Sequence, residues 1–273
     1  MATLTRTIPE TTDGPSRLGR HVEHDPRSTA YAVGVLPKTA IKSVSWTRRT
    51  PILDQGNVGS CTGNALTGLL GTDSKGRKGA TSVTVKADQR GVFKAGTYPL
   101  DEAFAVQAYS LNTWLDTIPG EYPAKDTGSS GIACGKSAQM LGLATGYSHA
   151  FGIDALKAAL QTGPTLIGIP WLNSMFTPDS GGQLTVDRTS GIAGGHELVV
   201  SAYDVGGWFR IDNSWNSSWG DQGSCHVREA DLAWLLAQDG DVTVPQLVAA
   251  PAAPATGAQV AATVRAALVA KGV

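Results

Sequence analysis

The 273-residue chain is short of cysteine, of net charge and of long apolar runs, and each shortage excludes something. Its three cysteines, Cys61, Cys134 and Cys225, lie far apart. They cannot frame a disulfide scaffold, and the odd count leaves at least one thiol free. A zinc site would have to recruit Cys225, His226 and another histidine without any Cys-x-x-Cys spacing, so no metal and no cofactor is expected. Lys and Arg number 22 against 23 Asp and Glu, for a net charge of -1. No run of one sign stands out, so neither nucleic acid nor an anionic membrane is an expected partner. The opening MATLTRTIPETTDGPSR lacks the apolar core of a secretory signal, and no stretch approaches the ~20 apolar residues of a membrane span. Synthesis in a cytoplasm is the expectation.

What is present reads as three stretches. Residues 1–43 are polar, with scattered Pro and Gly, and suggest an extended arm. Residues 44–245 hold the periodic segments of one domain or of two lobes folded as one unit. Residues 246–273 form an Ala/Pro-rich linker followed by Val260, Val264 and Leu268 on one face of a short helix, either a solvated tail or a docking element for a partner.

Within the middle stretch, Ala65, Leu66, Leu69 and Leu70 recur at helical spacing, which predicts a helix from Cys61 to Leu70 with Ser60 as cap and Gly71 as stop. A Gly/Lys/Thr-rich loop runs to about Tyr98. Further helices are expected over Ala103–Ile118, 136–143 and Ile153–Leu160. Strands are expected over Thr165–Ile169, Glu197–Ala202 and Trp208–Asn213. Helices first and strands second predict an α+β fold with segregated lobes.

The chemistry gathers at four positions. Cys61 opens a helix, where the positive end of the helix dipole favours thiolate. Gln55 precedes it across a Gly-containing turn, so its side-chain amide and the Cys61 N–H can share a developing oxyanion. His196 follows Gly194-Gly195 and begins a β run. A hairpin turn centred between Asp204 and Val205 puts Asn213 opposite His196, and a shifted register makes them diagonal neighbours. In either case an amide can accept a ring N–H and fix the tautomer.

The segments Gln55-Gly56-Asn57-Val58-Gly59-Ser60-Cys61, Gly195-His196 and Asn213-Ser214-Trp215 with Trp219-Gly220 resemble the papain family of cysteine peptidases, from about Trp46 to Val227. His196 and Asn213 follow Cys61 at about that family's spacing of 130–150 residues. The resemblance implies a two-lobed papain-like fold, with Cys61 on a helix of one lobe and the histidine on a barrel strand of the other. It implies Cys61 as nucleophile, His196 as acid–base, Asn213 as its orienter and Gln55 as oxyanion donor. It also implies a substrate cleft lined by Ser129, Ser130, Gly195 and Trp215, the last shielding the histidine–asparagine bond. The implied partner is a peptide or protein substrate.

Departures from the pattern are informative. Val58 replaces a cysteine of many secreted members, and Thr62 replaces an aromatic, so the string looks like bacterial and bacteriophage members. Glu197 stands where a small apolar residue is usual and is expected on the strand face opposite His196. Only 60 residues precede Cys61, too few for the family's long propeptide. The arm is then either a pseudo-substrate in the cleft or, more simply, packing on the back of the barrel. A cell-wall amide hydrolase, a non-catalytic binding protein and a virion component are the alternative functions.

Overall fold

The computed structural model describes residues 2–11 and 14–248. The expected C-terminal helix around Val260 lies outside them. In chain order the elements are β1 (Leu4–Arg6), β2 (Val22–His24), β3 (Val44–Ser45), α1 (Cys61–Leu70), β4 (Ser82–Val85), β5 (Gly96–Pro99), α2 (Glu102–Leu115), α3 (Gly131–Met140), β6 (Ala144–His149), α4 (Ile153–Leu160), β7 (Thr165–Leu172), β8 (Ile192–Asp204), β9 (Trp208–Asp212), β10 (Ser224–Arg228), α5 (Glu229–Ala237) and β11 (Asp241–Leu247). Seven of the strands make one antiparallel sheet in the order β10-β9-β8-β7-β11-β6, with β3 paired to β8. The result is an α+β protein with a helical region before a large sheet.

Two cores flank the sheet, and the alternation of side chains along β7 and β8 divides them. Ile167, Ile169, Leu198 and Val200 join the core with α4 and α5. Leu166 and Val199 point the other way, into the core of α1, α2 and α3. Every residue of α1 is buried, and each buried leucine of that helix stabilises by about 1.5–3 kcal/mol. Gly63 lets α2 approach, since a Cβ there would fall on the Ala105 carbonyl and the Tyr109 backbone.

Several boundaries differ from expectation for identifiable reasons. Ser60 occupies the cap position of α1 but makes no capping bond; its hydroxyl instead accepts from the Asn64 amide at 3.0 Å. The third helix starts at Gly131, five residues early, because Ser130 caps it and Gly135, lacking a Cβ, lets the helix lie on the Tyr147 ring. Residues 72–98 contain the β4–β5 hairpin, whose alternation at Ser82-Val83-Thr84-Val85 is short. Strand β8 runs 13 residues and carries His196 in its interior. The β8–β9 turn is centred on Gly206, with Asp204 opposite Trp208, and a bulge at Ser201 brings Val199 opposite Asp212. His196 and Asn213 are therefore diagonal neighbours, the second of the two registers expected.

The arm divides: Ala32 pairs with His149 of β6, and Val33 and Ile41 pack against the core that holds α4 and α5. Its residues 17–21 pass between α1, α3 and β8 along the cleft, through the contacts described next.

Candidate active site

Cys61 is the first residue of α1 and is fully buried. Helix α1 packs against β8, the strand that carries His196. Burial first, and then Glu197, push the thiol up to about 12. The Cys134 and Cys225 thiols, also free and fully buried, are raised as well, each first by burial.

His196 is also fully buried. Its ring stacks on Trp215, with centroids 4.7 Å apart and planes at 19°, and meets the edge of Trp171 at 5.1 Å. His196 Nε2 is 2.7 Å from Asn213 Oδ1. The same oxygen accepts the Ser214 backbone N–H at 2.8 Å, which fixes the orientation of the amide. Because Oδ1 can only accept, Nε2 carries the hydrogen and Nδ1 keeps its lone pair. Nδ1 is buried without a partner. Burial lowers the imidazole to about 4, against a smaller upward pull from Asn213.

Ser214 ties this pair to Gln55. The Gln55 N–H donates to the Ser214 carbonyl at 2.9 Å, and the Ser214 hydroxyl donates to Gln55 Oε1 at 2.7 Å. The Gln55 side-chain nitrogen is thereby turned the other way, donating to the carbonyls of Val58 at 3.0 Å and of Leu18, in the arm, at 3.3 Å.

The arm meets almost every position singled out in the sequence. Gly19 and Arg20 both donate backbone N–H groups to the Gly195 carbonyl, at 3.1 and 2.9 Å. The Ser129 N–H donates to the Gly19 carbonyl at 2.8 Å, and the His21 N–H donates to the Ser129 carbonyl at 2.7 Å, a parallel pairing. Trp215 Nε1 donates to the Arg17 carbonyl at 3.2 Å, and the Ser130 hydroxyl donates to Glu23 at 2.6 Å. The fit is tight: a Cβ on Gly19, whose φ is +135°, would overlap the Gly59 carbonyl.

The structure thus joins Gln55, Asn213, His196 and Trp215 into one hydrogen-bonded and stacked unit, with Cys61 against the strand beside His196. No hydrogen bond joins Cys61 to His196 among the described residues. Sequence reasoning missed a charged cluster in the same cleft, made by Arg20, Glu197 and Asp241. Glu197 was visible as a departure from the family pattern, whereas Asp241 carried no local signal at all.

The fold is that of the papain-like cysteine proteases. Xylellain, a cysteine protease from Xylella fastidiosa, superposes with a TM-score of 0.52 at 21% identity, over 90% of this chain and 100% of that one. Procathepsin B S9 from Trypanosoma congolense gives 0.46 at 12% identity, over 88% and 93%. Digestive procathepsin L 3 of Tenebrio molitor gives 0.45 at 19% identity, over 86% and 76%. No protein-family model matches the chain, and no curated protein matches it in sequence.

Proposed function

We propose that this chain is a cysteine peptidase in which Cys61 is the nucleophile, His196 the acid–base and Asn213 its orienter, and that the N-terminal arm closes the cleft. The observation that carries this reading is the His196 ring: Nε2–H is held by Asn213, Nδ1 is left with a lone pair and no partner, and its strand packs against α1, which Cys61 opens. A buried base without a partner is expensive to keep unless a reaction uses it.

In the proposed reaction Nδ1 takes the thiol proton, and the sulfur adds to a peptide carbonyl. The Gln55 amide and the Cys61 N–H hold the oxyanion, where one such donor contributes about 100- to 1000-fold in rate. His196 returns the proton to the leaving amine as the C–N bond breaks, leaving a thioester. It then takes a proton from water, which attacks the thioester to release the acid and restore the thiol. With the arm in place both groups are neutral, the thiol raised and the imidazole lowered by burial. Displacing the arm admits water and draws the two values together.

Gly19→Ala opens this closed state for testing, because the new Cβ has no space and the backbone there is strained. Incubated with a peptidyl epoxide and mapped by mass spectrometry, the folded variant is expected to carry one adduct, on Cys61. An adduct on Cys134 or Cys225 instead, or none on a folded variant, would overturn the assignment.

A further inference from the structure

One arm side chain goes down into the cleft. Arg20 is fully buried. Its Nη2 donates to the Asp241 carboxylate and, at 2.7 Å, to the Asp239 carbonyl. Beside it the Glu197 carboxyl is 1% exposed, and neither of its oxygens has a hydrogen-bond partner. Asp241 begins β11, Glu197 lies on β8, and the walls between them are Gly131 at the start of α3 and Gly168 on β7. A Cβ on Gly168 would sit 2.6 Å from Arg20 Nε and 2.7 Å from both Glu197 Oε2 and Asp241 Oδ2. Three ionisable groups thus converge on one point, in a space that two glycines keep open.

A structural ion pair does not account for this arrangement. Taking an ion out of water costs several kcal/mol, and here two carboxyl groups face one guanidinium. Burial first, and then the charge of Asp241, hold Glu197 well above the usual carboxylate range. The cation, moreover, comes from the segment that fills the cleft by backbone hydrogen bonds to Ser129, Gly195 and Gln55. The pocket is next to the candidate base in the chain: Glu197 follows His196 on β8, the strand against which α1 packs. Emptied of Arg20, it would leave buried acid groups facing water or an incoming side chain.

We infer that the Glu197–Asp241 pocket is the specificity pocket of the cleft, selecting peptides that carry arginine, and that Arg20 fills it to keep the arm seated. The inference rests on the peptidase reading above, which supplies the peptide. The same chemistry serves both occupants. A guanidinium pairs with one oxygen of Asp241 and lies beside Glu197, whereas a neutral side chain leaves both acids without a cation, the kind of mismatch that discriminates strongly at a buried polar site.

The test uses the full chain and reads iodoacetamide labelling of Cys61 by peptide mass mapping, which needs no turnover. Arg20→Ala is expected to label at least about tenfold faster than the wild type, since losing one partner of a buried charge pair loosens the seated arm. An acetylated tripeptide amide with central arginine should then slow that labelling at a concentration at least about tenfold lower than the same peptide with citrulline, its neutral isostere. In Glu197→Gln/Asp241→Asn, which keeps Arg20 and the pocket's shape, labelling should again be fast and the two peptides should protect equally. Should Arg20→Ala fail to fold by circular dichroism, the double variant alone decides: faster labelling supports the inference, and the wild-type rate overturns it. Equal protection by arginine and citrulline peptides on folded Arg20→Ala would sink the pocket while leaving the peptidase reading intact. An unreactive Cys61 in every folded variant would sink both.

Discussion

His196 and Glu197 are consecutive residues of one strand, both buried, and their surroundings are opposite in kind. Strand alternation sends His196 toward the sheet's aromatic side, between Trp171 and Trp215, where the hydrogen-bonded partner is a neutral amide. Glu197 goes toward the helical side, among Asp241, Arg20 and two glycines. One face keeps a base uncharged, and the other keeps an acidic pair next to a borrowed cation. In the proposed reading a single strand carries both the chemistry and the recognition of the cleft, because each face is given its own dielectric and its own partners.

The largest effect expected on the His196 face comes from its partner across the cleft. In a Gly19→Ala background, Cys61→Ala should lower peptide hydrolysis by more than about 10⁵-fold, comparable to removing a nucleophile elsewhere, while the melting temperature stays close to the parent's. A residual rate within tenfold of the parent would place the reaction on another group and empty the comparison of its chemical half.

The aromatic wall should matter next, through stability. Trp215 is 5% exposed and touches His196, Trp171, Phe176 and Trp219. Trp215→Ala should destabilise the fold by about 3–5 kcal/mol in urea unfolding. It should also raise the His196 titration by nuclear magnetic resonance toward its ordinary value, because burial is what lowers it. An unmoved titration would mean that the indole packs without shielding.

Asn213→Ala removes the acceptor that holds Nε2–H and should cost about 100-fold in kcat with little change in KM, since the tautomer and ring orientation are lost and the nucleophile is kept. A loss as large as that of Cys61→Ala in a folded protein would give Asn213 a direct part in the reaction.

Much of this site was legible in the sequence, and the reason is local. Gln55, Cys61, His196 and Asn213 each sit in a short string whose glycines, caps and strand residues fix their neighbourhood, and the helix Cys61–Leu70 follows from apolar spacing alone. The β8–β9 register was half legible, because the bulge at Ser201 depends on the Ser201–Asp212 hydrogen bond at 3.0 Å, a contact between strands. The β4–β5 hairpin and strands β6 and β11 lack a long enough pattern to stand out from loop. The arm's path through the cleft was one of two alternatives that the sequence left open, and nothing in the sequence chose between them. That path is set by backbone hydrogen bonds to Gly195 and Ser129, which any sequence can make, and by Arg20 meeting Asp241, more than two hundred residues away.

The smallest net effect expected is on stability against pH, and it compares the two faces directly. The folded His196 titrates at about 4 against an ordinary 6.5, so the unfolded chain binds its proton first as pH falls. Its contribution is complete above 6.5 and is lost between 6.5 and 4, by about 3 kcal/mol at most. Glu197 is raised instead, so the folded chain holds its proton longer. Its contribution is complete below 4.5 and is lost as pH rises above that. Through the shared window the two terms oppose each other, and the wild type should show little net slope from this pair. Other carboxyl groups titrate there too, Asp116 among them, raised by burial to about 7. The useful quantity is therefore the difference in melting temperature between variant and wild type at each pH. For Glu197→Gln that difference should become more positive as pH rises from 4.5. For His196→Gln it should become more positive as pH falls from 6.5 to 4. Two differences running in parallel would show that the faces of β8 are not electrostatically separate, and that the histidine feels the same acid-rich field as its neighbour.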